Sequence, residues 1–292
     1  MLRRLPKCQR RPEGRDTIPP VNPTQRLRAL CAGGALLAGS VTAGCGGGAE
    51  PLLAFAAASL ADALEEAGGA WEARHPEAPV AFNFNASNDL ARQIAAGAPA
   101  AIFVSADRER LVAAGRADLG AAVALLGNEL VVVAPAGSGA TVAGARDLLA
   151  FERLGLADPE AVPAGVYARE WLAAEGVWDE LRDRVVPALD VRANLAAVAS
   201  GSVPAGVVYA TDAAGSDRVE VVYRVPEGRA PAVVYWAAPV LDTHHRLKRP
   251  TSASAEPFLA FLAGPEAGAI FRRHGFRHLP SEDAGGGGSP GD

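Results

Sequence analysis

The feature that most constrains this chain is an alternation of short apolar runs with segments whose apolar residues recur at helical spacing. Leu52 to Ala57 is apolar throughout, as a strand buried on both faces of a parallel sheet must be. Leu60, Leu64, Ala67 and Trp71 then fall on one helical face, and His75-Pro76 ends the segment. Val80 to Phe84 alternates like a strand. Ser87 opens a second helix through Leu90, Ala91 and Ile94, closed by Gly97. Residues 101–104 form a third apolar run, and 108–114 a third helix. Leu130 to Pro135 and Gly206 to Tyr209 read as buried strands, 219–225 and 233–240 as further strands. Helices are predicted at 144–150, 165–175 and 192–200, the last two stopped by Gly176 and Gly201, and at 254–263 and 265–273. Such alternation predicts an α/β fold with parallel sheets and right-handed crossovers. Ligands of such sheets bind beyond the carboxyl ends of strands, where loops enter helices.

The first 44 residues have a different character. Eight basic residues there face only Glu13 and Asp16, whereas the rest of the chain carries 20 basic and 31 acidic residues. A body so acidic excludes general nucleic-acid binding, which needs clustered positive charge. Arg26 and Arg28 precede a short apolar stretch, Ala29 to Gly39, then small residues. This reads as a secretory leader, too short for a membrane span. Thr42-Ala43-Gly44-Cys45 resembles a bacterial lipoprotein cleavage site, with Thr42 where leucine is usual; ordinary cleavage nearby is the alternative. Cys8, Cys31 and Cys45 are the only cysteines, so no disulfide is expected in the body. A lipid on Cys45 would tether the protein through residues 45–50. Residues 281–292 form a polar, glycine-rich tail.

Two segments share one design. Phe55 to Leu60 and Phe84 to Leu90 each run from strand through a tight turn to a serine and a helix. Ser59 and Ser87 thus stand where free first-turn amides and the helix dipole favour an anion. The plainer reading of each is a helix cap, and Ser59 with Asp62 fits a capping box. Ala164, behind Pro163, and Val191 stand at two more helix starts; each offers an amide or is merely structural. Tyr209 ends the strand 206–209, either as a hydroxyl presented at the strand's carboxyl end or as a core tyrosine. Catalysis has little support: no G-x-S-x-G elbow surrounds either serine. His244-His245 with Asp242 is a poor metal set, because adjacent strand residues face opposite ways.

Phe55 to Leu60 and Ala86 to Ile94, with Gly97 to Ala100, Asp158-Pro159, Val162 to Ala168 and Gly206 to Asp212, resemble the substrate-binding component of bacterial molybdate ABC transporters. Lesser matches are Val104 to Asp107, Leu126 to Asn128, Asp190 to Arg192 and Gly275-Phe276, in order across about residues 52–277. The resemblance implies a two-lobed periplasmic-binding-protein fold of type II, each lobe a mainly parallel sheet flanked by helices, with two crossing strands. Lobe one would comprise 51–127 plus 232–280, and lobe two 128–231. It implies a tetrahedral oxyanion, molybdate or tungstate, held by the hydroxyls of Ser59, Ser87 and Tyr209 and the amides of Ala164 and Val191. No cofactor, no direct metal-ion ligand and no catalysis are implied. An exported monomer that delivers its anion to a membrane permease is. The departures, Ala101 where the family usually has aspartate, Asn88-Asp89, and Tyr235-Trp236-Ala237 where Tyr-Pro is common, spare those five positions. A sulfate-binding protein of the same architecture is the alternative.

Overall fold

The computed structural model describes residues 50–114, 119–241 and 255–279. The leader, Cys45, Asp242, His244-His245 and the tail 281–292 lie outside the described residues. The first half opens with β1 (Leu52–Ala57), a 3-10 turn (Ala58–Leu60), α1 (Ala61–Glu72), β2 (Val80–Asn85), α2 (Ser87–Ala95), β3 (Ile102–Ser105), α3 (Arg108–Ala113) and β4 (Val123–Asn128). It continues with β5 (Leu130–Pro135), β6 (Leu154–Ala157), α4 (Pro163–Ala174), α5 (Trp178–Leu181), β7 (Val185–Ala188), α6 (Val191–Ala199), β8 (Gly206–Tyr209), α7 (Ala210–Ala214) and β9 (Val219–Arg224). It closes with β10 (Val233–Pro239), α8 (Ala255–Ala263), α9 (Pro265–Arg273) and β11 (Arg277–His278).

Two sheets result. One has six strands in the order β11-β4-β10-β3-β1-β2, the other five in the order β7-β6-β8-β5-β9. β3, β6 and β8 are buried at every position, so they carry no polar alternation. Gly176 and Gly201 follow α4 and α6 with φ of 71° and 73°, a left-handed stop that other residues adopt at a cost.

The sheets are mixed rather than mainly parallel. β1 pairs in parallel with β2 and β3, and β6 with β7 and β8. β10 is antiparallel to β3 and β4, and β5 to β8 and β9. The cause is the hinge. Only Glu129 separates β4 from β5, so the chain passes directly from one sheet into the other. β5 starts beside the end of β8 (Leu130 opposite Tyr209), and β10 starts beside the end of β4 (Val233 opposite Asn128). A strand entering from the hinge runs against strands that end there.

Some elements carry no clear sequence signal. β6 and β7 are four residues each and β11 is two, and β4 ends in Gly127-Asn128, which reads as a turn. Residues 145–150 form only a 3-10 segment where a helix is predicted.

Candidate functional site

The carboxyl ends of β1, β2, β6, β7 and β8 each lead into a helical turn, and those turns converge. Ser59 lies inside the 3-10 turn, past the capping position held by Ala57, and caps nothing. The capping-box reading of Ser59 with Asp62 is therefore corrected. Ser59 Oγ is 2.8 Å from Tyr235 OH, and Asp62 pairs instead with Arg192 of α6 at 2.6 Å. Ser87 is likewise the first residue of α2 rather than its cap, and its Oγ accepts the N–H of Ala106 at 3.0 Å. In both cases the serine has already entered the helical turn, and its hydroxyl makes no capping hydrogen bond.

Ala164 is the second residue of α4, after Pro163, and is buried. Its N–H belongs to the first turn, whose amides have no acceptor four residues back. Val191 is the first residue of α6. Asp190 caps that helix by accepting the N–H of Ala193 at 2.8 Å. Tyr209 is the last residue of β8, with 1% of its surface exposed. Among the described residues its hydroxyl has no hydrogen-bond partner. Burial pushes its pKa well above the ordinary tyrosine value, so the proton stays on.

All five of these residues line one cavity of about 20 Å³, together with Asn85 and Asp190. No basic side chain lines it among the described residues. Of the two carbonyl-type side chains in the lining, Asn85 Oδ1 accepts the N–H of Ala86 at 2.7 Å, and one carboxylate oxygen of Asp190 accepts the N–H of Ala193. The lining also carries three hydroxyl residues and the starts of α4 and α6, whose partial positive charge suits an anion small enough for one such cavity. No group of three His, Cys, Asp or Glu side chains is placed to hold a metal ion among the described residues.

Ser59 and Ser87 belong to the six-stranded half; Ala164, Val191 and Tyr209 belong to the five-stranded half. Polar contacts among the described residues span the cleft beside them. Arg192 reaches Asp62, Arg110 Nε donates to the carbonyl of Ala161 at 3.2 Å, and Tyr167 OH donates to the carbonyl of Ala106 at 3.3 Å. Behind the cavity Arg192 also faces Asp212 at 3.5 Å. Burial raises the Asp212 carboxyl to about 7 against the opposing pull of Arg192. Sequence reasoning passes over Asn128, Asp190 and Tyr235 as participants. Asp190 had a signal, an aspartate directly before a helix start. Tyr235 stands where the resemblance also has tyrosine, but its pairing had no local signal, since its partner Ser59 is 176 residues away.

Two mixed sheets joined at a hinge, with helix starts from both halves facing one cavity, define a solute receptor. The chain belongs to the family of bacterial extracellular solute-binding proteins, whose description matches residues 52–277. It is 40% identical to the molybdate-binding protein ModA of Escherichia coli, over 76% of this chain and 87% of that protein. To YvgL of Bacillus subtilis, a putative ABC transporter substrate-binding lipoprotein, it is 37% identical over 76% of this chain and 84% of that one. Among solved structures, the periplasmic molybdate-binding protein of Azotobacter vinelandii superposes with a TM-score of 0.66 at 25% identity, covering 78% of this chain and all but 1% of its own. The sulfate-binding protein SubI of Mycobacterium tuberculosis shares the two-lobed fold alone, with a TM-score of 0.65 at 18% identity.

Proposed function

We propose that this protein captures molybdate, or tungstate, outside the cytoplasm and delivers it to the membrane permease of an ABC transporter. The ligand is held by the hydroxyls of Ser59, Ser87 and Tyr209 and the amides of Ala164 and Val191, and no cofactor takes part. The observation that carries this reading is the Tyr209 hydroxyl, buried and without a hydrogen-bond partner among the described residues, in a cavity lined by two further hydroxyls and two helix starts. A buried hydroxyl without an acceptor costs about 1–3 kcal/mol, which an oxyanion at that point recovers. Neutral donors and helix ends suffice for a dianion, because each oxygen is hydrogen-bonded and no counter-charge has to be desolvated. The relatives at 40% and 37% identity, a molybdate-binding protein and a transporter substrate-binding lipoprotein, support the same ligand and partner. The protein is then a carrier rather than an enzyme, exported by its leader, anchored through Cys45 and acting as a monomer.

Because donors come from both halves, only the closed form offers them all, and the ligand stabilises closure by its differential affinity for that form. Isothermal titration calorimetry with molybdate, tungstate, sulfate and phosphate tests the reading. Molybdate and tungstate should bind at one site, sulfate far more weakly and phosphate more weakly still. Ser59→Asp, which sets a carboxylate against the anion, should abolish the heat. Tight sulfate binding without molybdate binding would assign the protein to sulfate, and silence with all four anions would remove the oxyanion reading.

A further inference from the structure

A serine hydroxyl can give one hydrogen bond and take two, so its role toward a guest depends on what the protein has already given it. The 2.8 Å contact between Ser59 Oγ and Tyr235 OH leaves the direction open by distance alone. Its surroundings close it. Tyr235 is wholly buried, and its hydroxyl also receives Asn128 Nδ2 at 3.3 Å. The Asn128 amide is oriented at its other end, where Oδ1 accepts the N–H of Glu129 at 2.9 Å. Nδ2 gives its second proton to Thr211 Oγ1 at 2.9 Å. Tyr235 therefore accepts from a group that cannot accept in return.

If Ser59 also donated to Tyr235, the tyrosyl proton would be buried with no acceptor among the described residues, a costly arrangement. The direction that leaves the unpaired proton where a guest can take it runs from Asn128 to Tyr235 to Ser59, because Ser59 lines the cavity and Tyr235 does not. The proton of Ser59 is then free to point into the cavity. Ser87 is set the same way by a simpler device, since the Ala106 N–H that it accepts can only donate.

We propose that Tyr235, itself oriented by Asn128, is a positioning residue that fixes Ser59 as a donor into the cleft, and so selects an oxyanion carrying no proton. This rests on the oxyanion reading above and names what sets its selectivity. A guest O–H aimed at Ser59 would be a second donor onto Oγ, and the proton of Ser59 would then lose its acceptor. Tyr235 itself does not line the cavity; it acts through Ser59.

The test is a double-mutant cycle of Tyr235→Phe and Ser59→Ala, read as molybdate affinity by calorimetry. Tyr235→Phe alone should weaken molybdate about tenfold, and in the Ser59→Ala background it should change affinity less than about twofold. A merely structural role for the tyrosine would cost the same in both backgrounds. The ratio of molybdate to hydrogen phosphate affinity, measured by competition, should also fall in Tyr235→Phe and stay constant if the residue only fills space. An unchanged affinity in Tyr235→Phe, or an equal loss in both backgrounds, overturns the inference. If the phenylalanine variant does not fold by circular dichroism, Asn128→Ala takes its place in the cycle. Its expected loss is several-fold with Ser59 present and absent without it, and any other pattern overturns the inference equally. Failure of the unmodified protein to bind any oxyanion sinks the proposed function instead.

Discussion

At the scale of single residues, Tyr209 separates the demands of folding from those of binding. Its hydroxyl is buried beside Tyr235 and finds no acceptor among the described residues, so it adds nothing to the stability of the ligand-free protein. Tyr209→Phe keeps the ring and removes the unsatisfied group. Thermal unfolding without anion should be unchanged or raised by about 1 °C or a few degrees, while molybdate affinity falls about tenfold or more. Parallel losses in both measurements would return Tyr209 to the core. The legible residues were those whose meaning is local. Ser59, Ser87, Ala164, Val191 and Tyr209 each stand where a strand meets a helix, and a window of six residues displays that. The capping alternative for the two serines was legible too, and wrong for both, because a register of one or two residues decides whether a hydroxyl can cap its own helix. Tyr235 and Asn128 were not legible, since what they do depends on partners brought close only by the fold.

The elements place donors by very close packing. α4 starts against the carboxyl end of β6, and Gly165 sits where a Cβ would lie 2.1 Å from the carbonyl oxygen of Ala157 and 2.5 Å from that of Asp158. Both atoms are backbone and cannot rotate away. Gly165→Ala therefore has to push the first turn of α4 off the sheet, which costs about 1–3 kcal/mol and displaces the amide of Ala164. Denaturant unfolding should show that loss, and calorimetry should show molybdate affinity lowered beyond tenfold; an affinity equal to that of the unmodified protein would mean that α4 does not position a ligand group. The apolar run of β8 and the periodic helices α1 and α6 could be read in advance because burial imposes a pattern on many residues at once. β6 and β7, four residues each, are too short to display a period, and the proline in β7 is a residue that usually breaks strands.

Over the whole molecule, the hinge explains both the mixed sheets and the placement of charge. Arg192 carries the arrangement: it reaches across the cleft to Asp62 and back to Asp212 in its own half. The pair with Asp62 is largely exposed and contributes little. Asp212 is different, because its carboxylate is buried and neither oxygen has a hydrogen bond among the described residues. Burial, opposed by Arg192 and reinforced by Asp190 and Asp62, lifts its pKa to about 7, against an unfolded value near 4. Between those two values the folded protein holds a proton that the unfolded chain has released. This group's contribution to stability is thus complete below about pH 4 and is lost as pH rises toward 7. Asp62 and Glu66 carry depressed pKa values, and their contributions vanish only on acidification below the carboxylate range, outside this window. Asp212→Asn is neutral at every pH. In urea unfolding the difference between variant and parent should grow in the variant's favour from pH 5 to pH 8, by on the order of 1–3 kcal/mol once the lost attraction to Arg192 is discounted. A constant difference across that range would show that Asp212 is ionised throughout, held by Arg192 more firmly than a contact of 3.5 Å implies.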